Sequence, residues 1–138
     1  MPGDVLYTIE KPQHGPGFTV VWASLTRDQR FGQEYPSATS GDRSTCWYSD
    51  KSMTIAGTFG GAIWTFQGSN DAPTTTTANI VWSTLNDQSD NALSGTAQIA
   101  EQVVQNTYYV RPVLASSSMT ASVQVRLLVT TARGQHHD

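Results

Sequence analysis

The sequence has little of what most disulfide-bonded, metal-binding or nucleic-acid-binding domains depend on. It contains one cysteine, Cys46, which excludes an internal disulfide and a cysteine-rich metal site. Charged residues make up only 14% of the 138 residues, the formal net charge is -3, and lysine occurs only as Lys11 and Lys51. So few basic residues do not provide the electrostatic footprint that contacts with nucleic-acid phosphates require. We therefore expect no nucleic-acid partner.

Long apolar runs are missing as well. No stretch approaches the roughly 20 apolar residues of a transmembrane helix. The first residues, Met1 to Asp4, lack the basic and apolar regions of a signal peptide. We expect a soluble protein that is made in a cytosol and has no membrane partner.

Residues that could carry out catalysis are few and scattered. His14, His136 and His137 lie at the two ends of the chain, so no histidine is close in sequence to activate Cys46. No serine lies in a Gly-x-Ser-x-Gly elbow. The glycines of 57–61 precede a strand pattern, whereas a phosphate site needs the amide groups at the start of a helix. We expect no enzyme activity and no cofactor.

The acidic residues of the middle region have the sequence context of turns. Asp71, Asp87 and Asp90 lie among asparagine, serine and glutamine, where side-chain oxygens commonly cap a turn. The alternative is a calcium site that includes Asn70, because hard cations bind clustered oxygen ligands in loops. The spacing matches no defined calcium loop, so we predict turns and no metal site.

The chain does contain a pattern of period two, which is typical of β-strands. Apolar residues alternate with polar ones over 5–9, 18–25, 53–67, 79–85, 108–114 and 121–131. Two alternating stretches flank Gly60 and Gly61, which predicts a β-hairpin. Pro112 places its strand at a sheet edge or at a bulge, because proline has no N–H for the ladder. The one predicted helix, over 97–105, depends on Ile99 and Val103 being four residues apart.

These patterns predict an all-β protein, an antiparallel β-sandwich of jelly-roll type with seven or eight short strands and at most one short helix. The predicted domain organisation is an N-terminal arm or edge strand at 1–17, a single β-sandwich domain at 18–133 and a tail at 134–138. Trp22, Trp64 and Trp82 share a parity with other apolar residues, which places them in the core.

A long irregular stretch at 26–50 interrupts the strand pattern. Loops of this length are usually functional in compact domains, and arginine, tyrosine and tryptophan are enriched at protein–protein contacts. The stretch predicts seven partner-contact residues: Arg27, Arg30, Phe31, Tyr35, Arg43, Trp47 and Tyr48. The alternative is a solvated loop whose aromatic side chains pack on the sheet.

Several motifs resemble small virion proteins of tailed bacteriophages, among them capsid decoration (cement) proteins. They are Gly-Thr-Phe-Gly-Gly-Ala-Ile-Trp-Thr-Phe-Gln-Gly-Ser-Asn-Asp at 57–71, Trp-Ser-Thr-Leu-Asn-Asp at 82–87, Asn-Ala-Leu at 91–93 and Tyr-Tyr-Val-Arg-Pro at 108–112. This chain departs from them by a Thr-rich insert at 72–77, where those proteins tend to have a short turn.

The resemblance implies a non-enzymatic virion structural protein on the capsid surface, made in the host bacterial cytoplasm. Its partner would be the major capsid protein, whose shell it binds and stabilises as a homo-oligomer, either a dimer or a trimer. A tail or head–tail joining protein is an alternative within the same group.

A second similarity is to discoidin-type jelly rolls that bind carbohydrate or lipid. It depends on Gln-Gly-Ser-Asn-Asp at 67–71, the following Trp82 and a late Tyr-Val-Arg at 109–111. Those modules usually carry a disulfide, which a chain with one cysteine does not form. We interpret this as shared architecture, since a fold does not assign a function. The alternative function that it suggests is a glycan-binding jelly-roll module on the virion.

Overall fold

The computed structural model describes residues 4–11, 17–37, 42–71, 79–116 and 118–132. The strands in chain order are β1 (Tyr7–Glu10), β2 (Phe18–Thr26), β3 (Tyr48–Thr58), β4 (Ile63–Ser69), β5 (Ser83–Thr84), β6 (Ser94–Gly95), β7 (Ile99–Gln102), β8 (Tyr109–Ala115) and β9 (Ser122–Ala132). A 3-10 helix at Thr45–Trp47 is the only helical element longer than an isolated residue in the described ranges. The predicted tail at 134–138, the insert at 72–77 and the three histidines lie outside the described residues.

The first sheet has the strand order β1-β2-β9-β3-β7, and every pair in it is antiparallel. Its central strands are long, because β3 and β9 each have 11 residues. Val123, Val125, Leu127 and Val129 alternate along β9 and are all buried. This is the period-two pattern expected of a strand with one face on the core.

The second sheet is built around β4. One edge of β4 pairs with β8 over its whole length, and the other pairs with the short strands β5 and β6. The segment 31–35 lies along the free edge of β8, where the N–H of Gly32 donates to the carbonyl of Pro112 at 2.8 Å. Tyr35 and Val110 exchange both backbone hydrogen bonds, each at 2.9 Å. The second sheet therefore has the order 31–35, β8, β4 and then β5 with β6.

The strand order of the two sheets confirms the predicted fold. With 31–35 counted as a strand position, one sheet has the order β2, β9, β3, β7 and the other has the order 31–35, β8, β4, β5/β6. From β2 onward, the chain crosses between the sheets at every connection except those from β4 to β5 and from β5 to β6. This is the jelly-roll arrangement of an antiparallel sandwich, with β1 added at an edge.

Pro112 lies at a local irregularity of the second sheet. Phe31 is opposite Val113 and Tyr35 is opposite Val110, so four steps along 31–35 match three steps along β8. A one-residue slip of this kind is a bulge. It is found where β8 has no N–H to donate, which agrees with the expectation from the sequence.

The predicted hairpin around Gly60 and Gly61 is wrong. The turn exists, with the N–H of Ala62 donating to the carbonyl of Phe59 at 2.8 Å and with positive φ at both glycines. The strands on its two sides, however, belong to different sheets. Both edges of β3 are occupied by β9 and β7, so β4 has no edge of β3 with which to pair.

The predicted helix at 97–105 is also wrong, because residues 99–102 form the strand β7. Ile99 and Val103 are four residues apart, a spacing that fits a period of two as well as a helix. Ile99 lies opposite Ile55 of β3, and the N–H of Val103 donates to the carbonyl of Lys51 at 2.9 Å. Pairing with the open edge of β3 satisfies these backbone groups, and such tertiary context overrides a weak helix preference.

The core lies between the inward faces of the two sheets. Trp22 of β2 is fully buried, and its ring lies 6.2 Å from the ring of Phe66 on the opposite sheet. The indole N–H of Trp22 donates to the carbonyl of Gln33 at 3.0 Å, which joins β2 to the segment 31–35. The ring thus buries a large apolar area while its polar atom remains paired.

Candidate partner-binding face

The outer face of the second sheet carries an arginine that is held in place from several sides. Arg111 lies opposite Gln67 in the β4–β8 register, and its Nε donates to Gln67 Oε1 at 2.9 Å. Its neighbours in β8, Val110 and Pro112, point the other way and are buried. The alternation of the strand therefore directs the guanidinium group to the outside of the sandwich.

Two aromatic rings frame this guanidinium group. The Cζ atom of Arg111 lies 4.7 Å from the ring centroid of Phe31 and 4.4 Å from that of Trp82. The Cζ atom of Arg30 lies 4.8 Å from the same Phe31 ring. These are distances at which a cation is attracted to the face of an aromatic ring. We call Arg30, Phe31, Gln67, Trp82 and Arg111 the arginine–aromatic face.

The charge of Arg111 is not balanced by an ion pair within the described part of the chain. No carboxylate there lies within salt-bridge distance of Arg111 or Arg30. Burial lowers the pKa of the Arg111 guanidinium, while the more distant carboxylates of Asp4 and Glu34 act in the opposite direction. An arginine remains protonated under all ordinary conditions. The face therefore presents a fixed, partly desolvated positive charge.

Trp82 does not lie in the core, so the prediction for this residue is wrong. The expected strand over 79–85 is reduced to the two residues of β5, and the Trp82 side chain packs half-buried on the outer face near Tyr109, with 6.4 Å between ring centroids. Trp22 and Trp64 are buried as predicted. The alternation that identified core positions fails at Trp82 because regular pairing is limited to residues 83 and 84.

The seven predicted contact residues are divided between different places. Arg30 and Phe31 belong to the arginine–aromatic face. Arg27 lies apart from it and pairs with Asp28 at 3.3 Å. Tyr35 is only 2% exposed and has almost no surface to offer a partner.

The three remaining predicted residues are not part of the arginine–aromatic face; they are Arg43, Trp47 and Tyr48. The Tyr35 hydroxyl donates to the backbone carbonyl of Arg43 at 2.7 Å. The Tyr48 ring packs edge-on against Phe18, with 5.4 Å between centroids. Trp47 is in the 3-10 helix, which Ser44 caps by accepting from the N–H of Cys46 at 3.1 Å. That these residues contact a partner remains a prediction.

Hydrogen bonds join Tyr7 of β1 to Ser37 and Asp42. The Tyr7 hydroxyl donates to Asp42 Oδ2 at 2.7 Å and accepts from the N–H of Ser37 at 3.0 Å.

Burial, with smaller effects from Asp42, Tyr7 and Tyr48, raises the pKa of the Tyr35 hydroxyl far above its ordinary value of 10.0. The neutral form of Tyr35 is therefore stable across the physiological range.

The acidic turn residues act as the sequence predicts. Asp87 Oδ1 accepts from the N–H groups of Ser89 at 2.8 Å and Asn91 at 3.0 Å, and Asp71 Oδ2 accepts from the N–H of Val81 at 2.6 Å. These oxygens satisfy the backbone of their own loops. Within the described ranges, no group of three or more His, Cys, Asp or Glu side chains is arranged to hold a metal ion. Among the residues that the structure describes, no helix is long and apolar enough to cross a membrane.

Three members of the arginine–aromatic face, Gln67, Trp82 and Arg111, are absent from the residues predicted as partner contacts. The alternation of 108–114 does put Arg111 on the parity opposite the core residues. The register that brings Gln67 and Trp82 beside it depends on pairing between strands far apart in the sequence. A single sequence does not specify that register.

No protein-family model, curated protein or solved structure matches this chain. We therefore infer a function from the chemistry of the arginine–aromatic face and from the motifs in the sequence.

Proposed function

We propose that this chain is a non-enzymatic bacteriophage virion structural protein, a capsid decoration protein that binds the major capsid protein and stabilises its shell. The observation that supports a binding role is the arginine–aromatic face. Arginine and tryptophan are the side chains most enriched at the energetic centres of protein contacts. The phage motifs in the sequence supply the choice of partner.

The contact residues are carried by a well-supported scaffold. Arg111 and Gln67 lie on paired strands, and Phe31 lies on a segment bound to β8 through backbone hydrogen bonds. Side chains that are ordered before binding lose little conformational entropy in the complex. On a symmetric shell, many identical weak contacts would add through multivalency. This arrangement suits a clamp between capsid subunits.

Protein contact is favoured over glycan binding by the state of the aromatic rings. A ring that stacks on a sugar needs an open face. Two guanidinium groups lie over Phe31, and one lies over Trp82. An arginine therefore covers a face of each ring, and the guanidinium groups are what the arginine–aromatic face offers to a partner.

The proposal is tested by incubating the purified full-length protein with expanded, undecorated capsids of the matching phage. We expect copy numbers on the order of hundreds per particle, by gel densitometry of pelleted capsids, and shells that survive heating that opens bare shells. A matched pair of variants, Arg111→Gln on the arginine–aromatic face and Arg126→Gln on the other sheet, locates the contact. Failure of the wild-type protein to bind capsids would overturn the proposal, and a few copies per particle would favour a tail or head–tail joining role.

A further inference from the structure

Arg111 has unused hydrogen-bonding capacity. Gln67 is its one hydrogen-bond partner in the described part of the chain, and that contact uses Nε alone. The guanidinium group has five donors, so those on its two terminal nitrogens remain available. Solvent reaches a half-buried guanidinium group, and a carboxylate can replace that solvent on the terminal donors with stronger, charge-assisted hydrogen bonds.

Arg30 increases the positive charge at the same place. It faces the ring that Arg111 faces, is exposed, and has no ion pair within the described residues. The two Cζ atoms lie 4.8 and 4.7 Å from one ring centroid, so an anion bound beside that ring would be attracted by both charges.

We propose that Arg30 and Arg111 form a carboxylate-binding site that takes an acidic side chain of the partner protein, with Phe31 and Trp82 holding the arginines in place. The inference rests on the proposed function in one respect, namely that the partner is a protein. It adds the chemistry of recognition, an aspartate or glutamate contacted by the planar guanidinium of Arg111.

The geometry of arginine suits a carboxylate. Its donors form a rigid fork that matches the two oxygens of a carboxylate, and such paired contacts are stronger than neutral hydrogen bonds. The plane of the Arg111 guanidinium is restrained by Phe31, Trp82 and Gln67. Little freedom is therefore lost when the anion binds.

The surroundings favour a carboxylate over a nucleic-acid backbone. Lys51, one of two lysines in the sequence, is 2% exposed and donates to the carbonyl of Tyr48. A surface of this kind lacks the row of basic side chains that follows a phosphate backbone.

The test is isothermal titration of the full-length protein with a hexaglutamate peptide, using hexaglutamine as the uncharged control peptide. We expect hexaglutamate to bind with a Kd on the order of 1 mM or tighter, weakening as salt is added. We expect Arg111→Gln and Arg30→Gln each to raise the Kd roughly tenfold, the scale of one charge-assisted contact. Arg126→Gln, which removes an arginine from the other sheet, should leave the Kd unchanged.

Arg111→Lys separates geometry from charge. Lysine keeps the positive charge but loses the planar fork, so the Kd of hexaglutamate for this variant should also rise roughly tenfold. Circular dichroism melting curves establish that each variant is folded. Because Arg30 is exposed, Arg30→Gln should fold even where Arg111→Gln does not. Unchanged affinity in folded Arg111→Gln and Arg30→Gln, or no binding of hexaglutamate by the wild type, would overturn the inference. Binding of inorganic phosphate in preference to the peptide would also overturn it.

The inference and the proposed function can fail separately. If wild-type protein binds capsids and the folded Arg30→Gln and Arg111→Gln variants bind them equally well, the function stands and the carboxylate site is wrong. If hexaglutamate binding depends on both arginines but capsids are not bound, the site stands and the choice of the capsid partner is wrong.

Discussion

The two sheets of this sandwich differ in regularity and in surface chemistry. In the first sheet the 11-residue strands β3 and β9 pair along most of their length, and outward residues such as Ser52, Thr54 and Gln124 are polar or small. In the second sheet β5 and β6 have two residues each, and the outer face holds an arginine between two rings. The long, regular strands lie in the first sheet, and the arginine–aromatic face lies on the second.

Charge pairing shows the same division. On the outside of the first sheet Arg126 pairs with Glu10 across the neighbouring strand β2. On the outside of the second sheet Arg111 has rings and an amide around it, and no carboxylate of the described residues pairs with it. A satisfied ion pair has little left to offer a partner, whereas an unpaired cation retains its donors. This difference is the reason that we propose the face of the second sheet as the one that binds a partner.

The largest effect that we predict compares two tryptophans. Trp22→Ala should lower the free energy of unfolding by about 3–5 kcal/mol, because it leaves a cavity between the sheets and removes the hydrogen bond to Gln33. Trp82→Ala should cost about 1–2 kcal/mol, because Trp82 is half-buried on the outer face. Urea denaturation measures both values. Equal losses would show that the outer face is part of the core.

A second comparison uses two glycines with positive φ. A Cβ at Gly57, in β3, would lie 2.3 Å from the carbonyl oxygen of Ser122 in β9, and φ there is 140°. Gly57→Ala should therefore lower the free energy of unfolding by about 3 kcal/mol. Gly61 has φ 84° but open space around it, so Gly61→Ala should cost only about 1 kcal/mol. Thermal and urea denaturation provide the measurement, and a Gly57→Ala protein as stable as Gly61→Ala would contradict the tight β3–β9 contact.

The contrast between the sheets also explains how far the sequence predicts the structure. The first sheet is the predictable part, because β9 alternates from Ser122 to Thr130 with one buried face. No long alternating pattern with one buried face supports the two wrong predictions, the hairpin around Gly60-Gly61 and the helix that includes Ile99 and Val103. A tight turn between two strands has the same local sequence whether the strands pair or enter different sheets. A four-residue spacing fits either a helix or an edge strand.

The candidate site is predictable only in part for the same reason. Arg30 and Phe31 stand out as an arginine beside an aromatic residue in an irregular stretch. Arg111 and Gln67 meet because β8 pairs with β4, and Trp82 joins them because the residue directly before β5 packs on the outer face. Gln67 and Arg111 are 44 residues apart in the sequence, and local patterns do not encode a pairing over that distance.

A third prediction concerns Tyr35, which joins the second sheet to the 42–48 region. Tyr35→Phe should lower the free energy of unfolding by about 1 kcal/mol near neutral pH, because the hydrogen bond to the Arg43 carbonyl is lost. The pKa of Tyr35 is raised in the folded state, so the hydroxyl ionises at a lower pH in the unfolded chain than in the folded one. The stability that this hydroxyl contributes therefore falls as the pH rises above 10.0. The difference between wild type and Tyr35→Phe should therefore shrink by about 1 kcal/mol between about pH 8 and pH 11. A difference that stays constant over this range, measured by urea denaturation, would contradict the burial of the hydroxyl.

The smallest predicted change in stability belongs to Arg111, a residue on which binding is predicted to depend. Arg111→Gln should alter the free energy of unfolding by less than about 1 kcal/mol, because the lost attraction to Phe31 and Trp82 is offset by relief from burying an unpaired charge. Arg126→Gln, which breaks an exposed ion pair, should have an effect of similar size. Urea denaturation and capsid binding measured on the same preparations distinguish the two arginines, since only Arg111→Gln should bind capsids more weakly. A loss of several kcal/mol in Arg111→Gln would mean that the arginine is needed to hold the second sheet together, because a side chain reserved for a partner contributes little to folding in its absence.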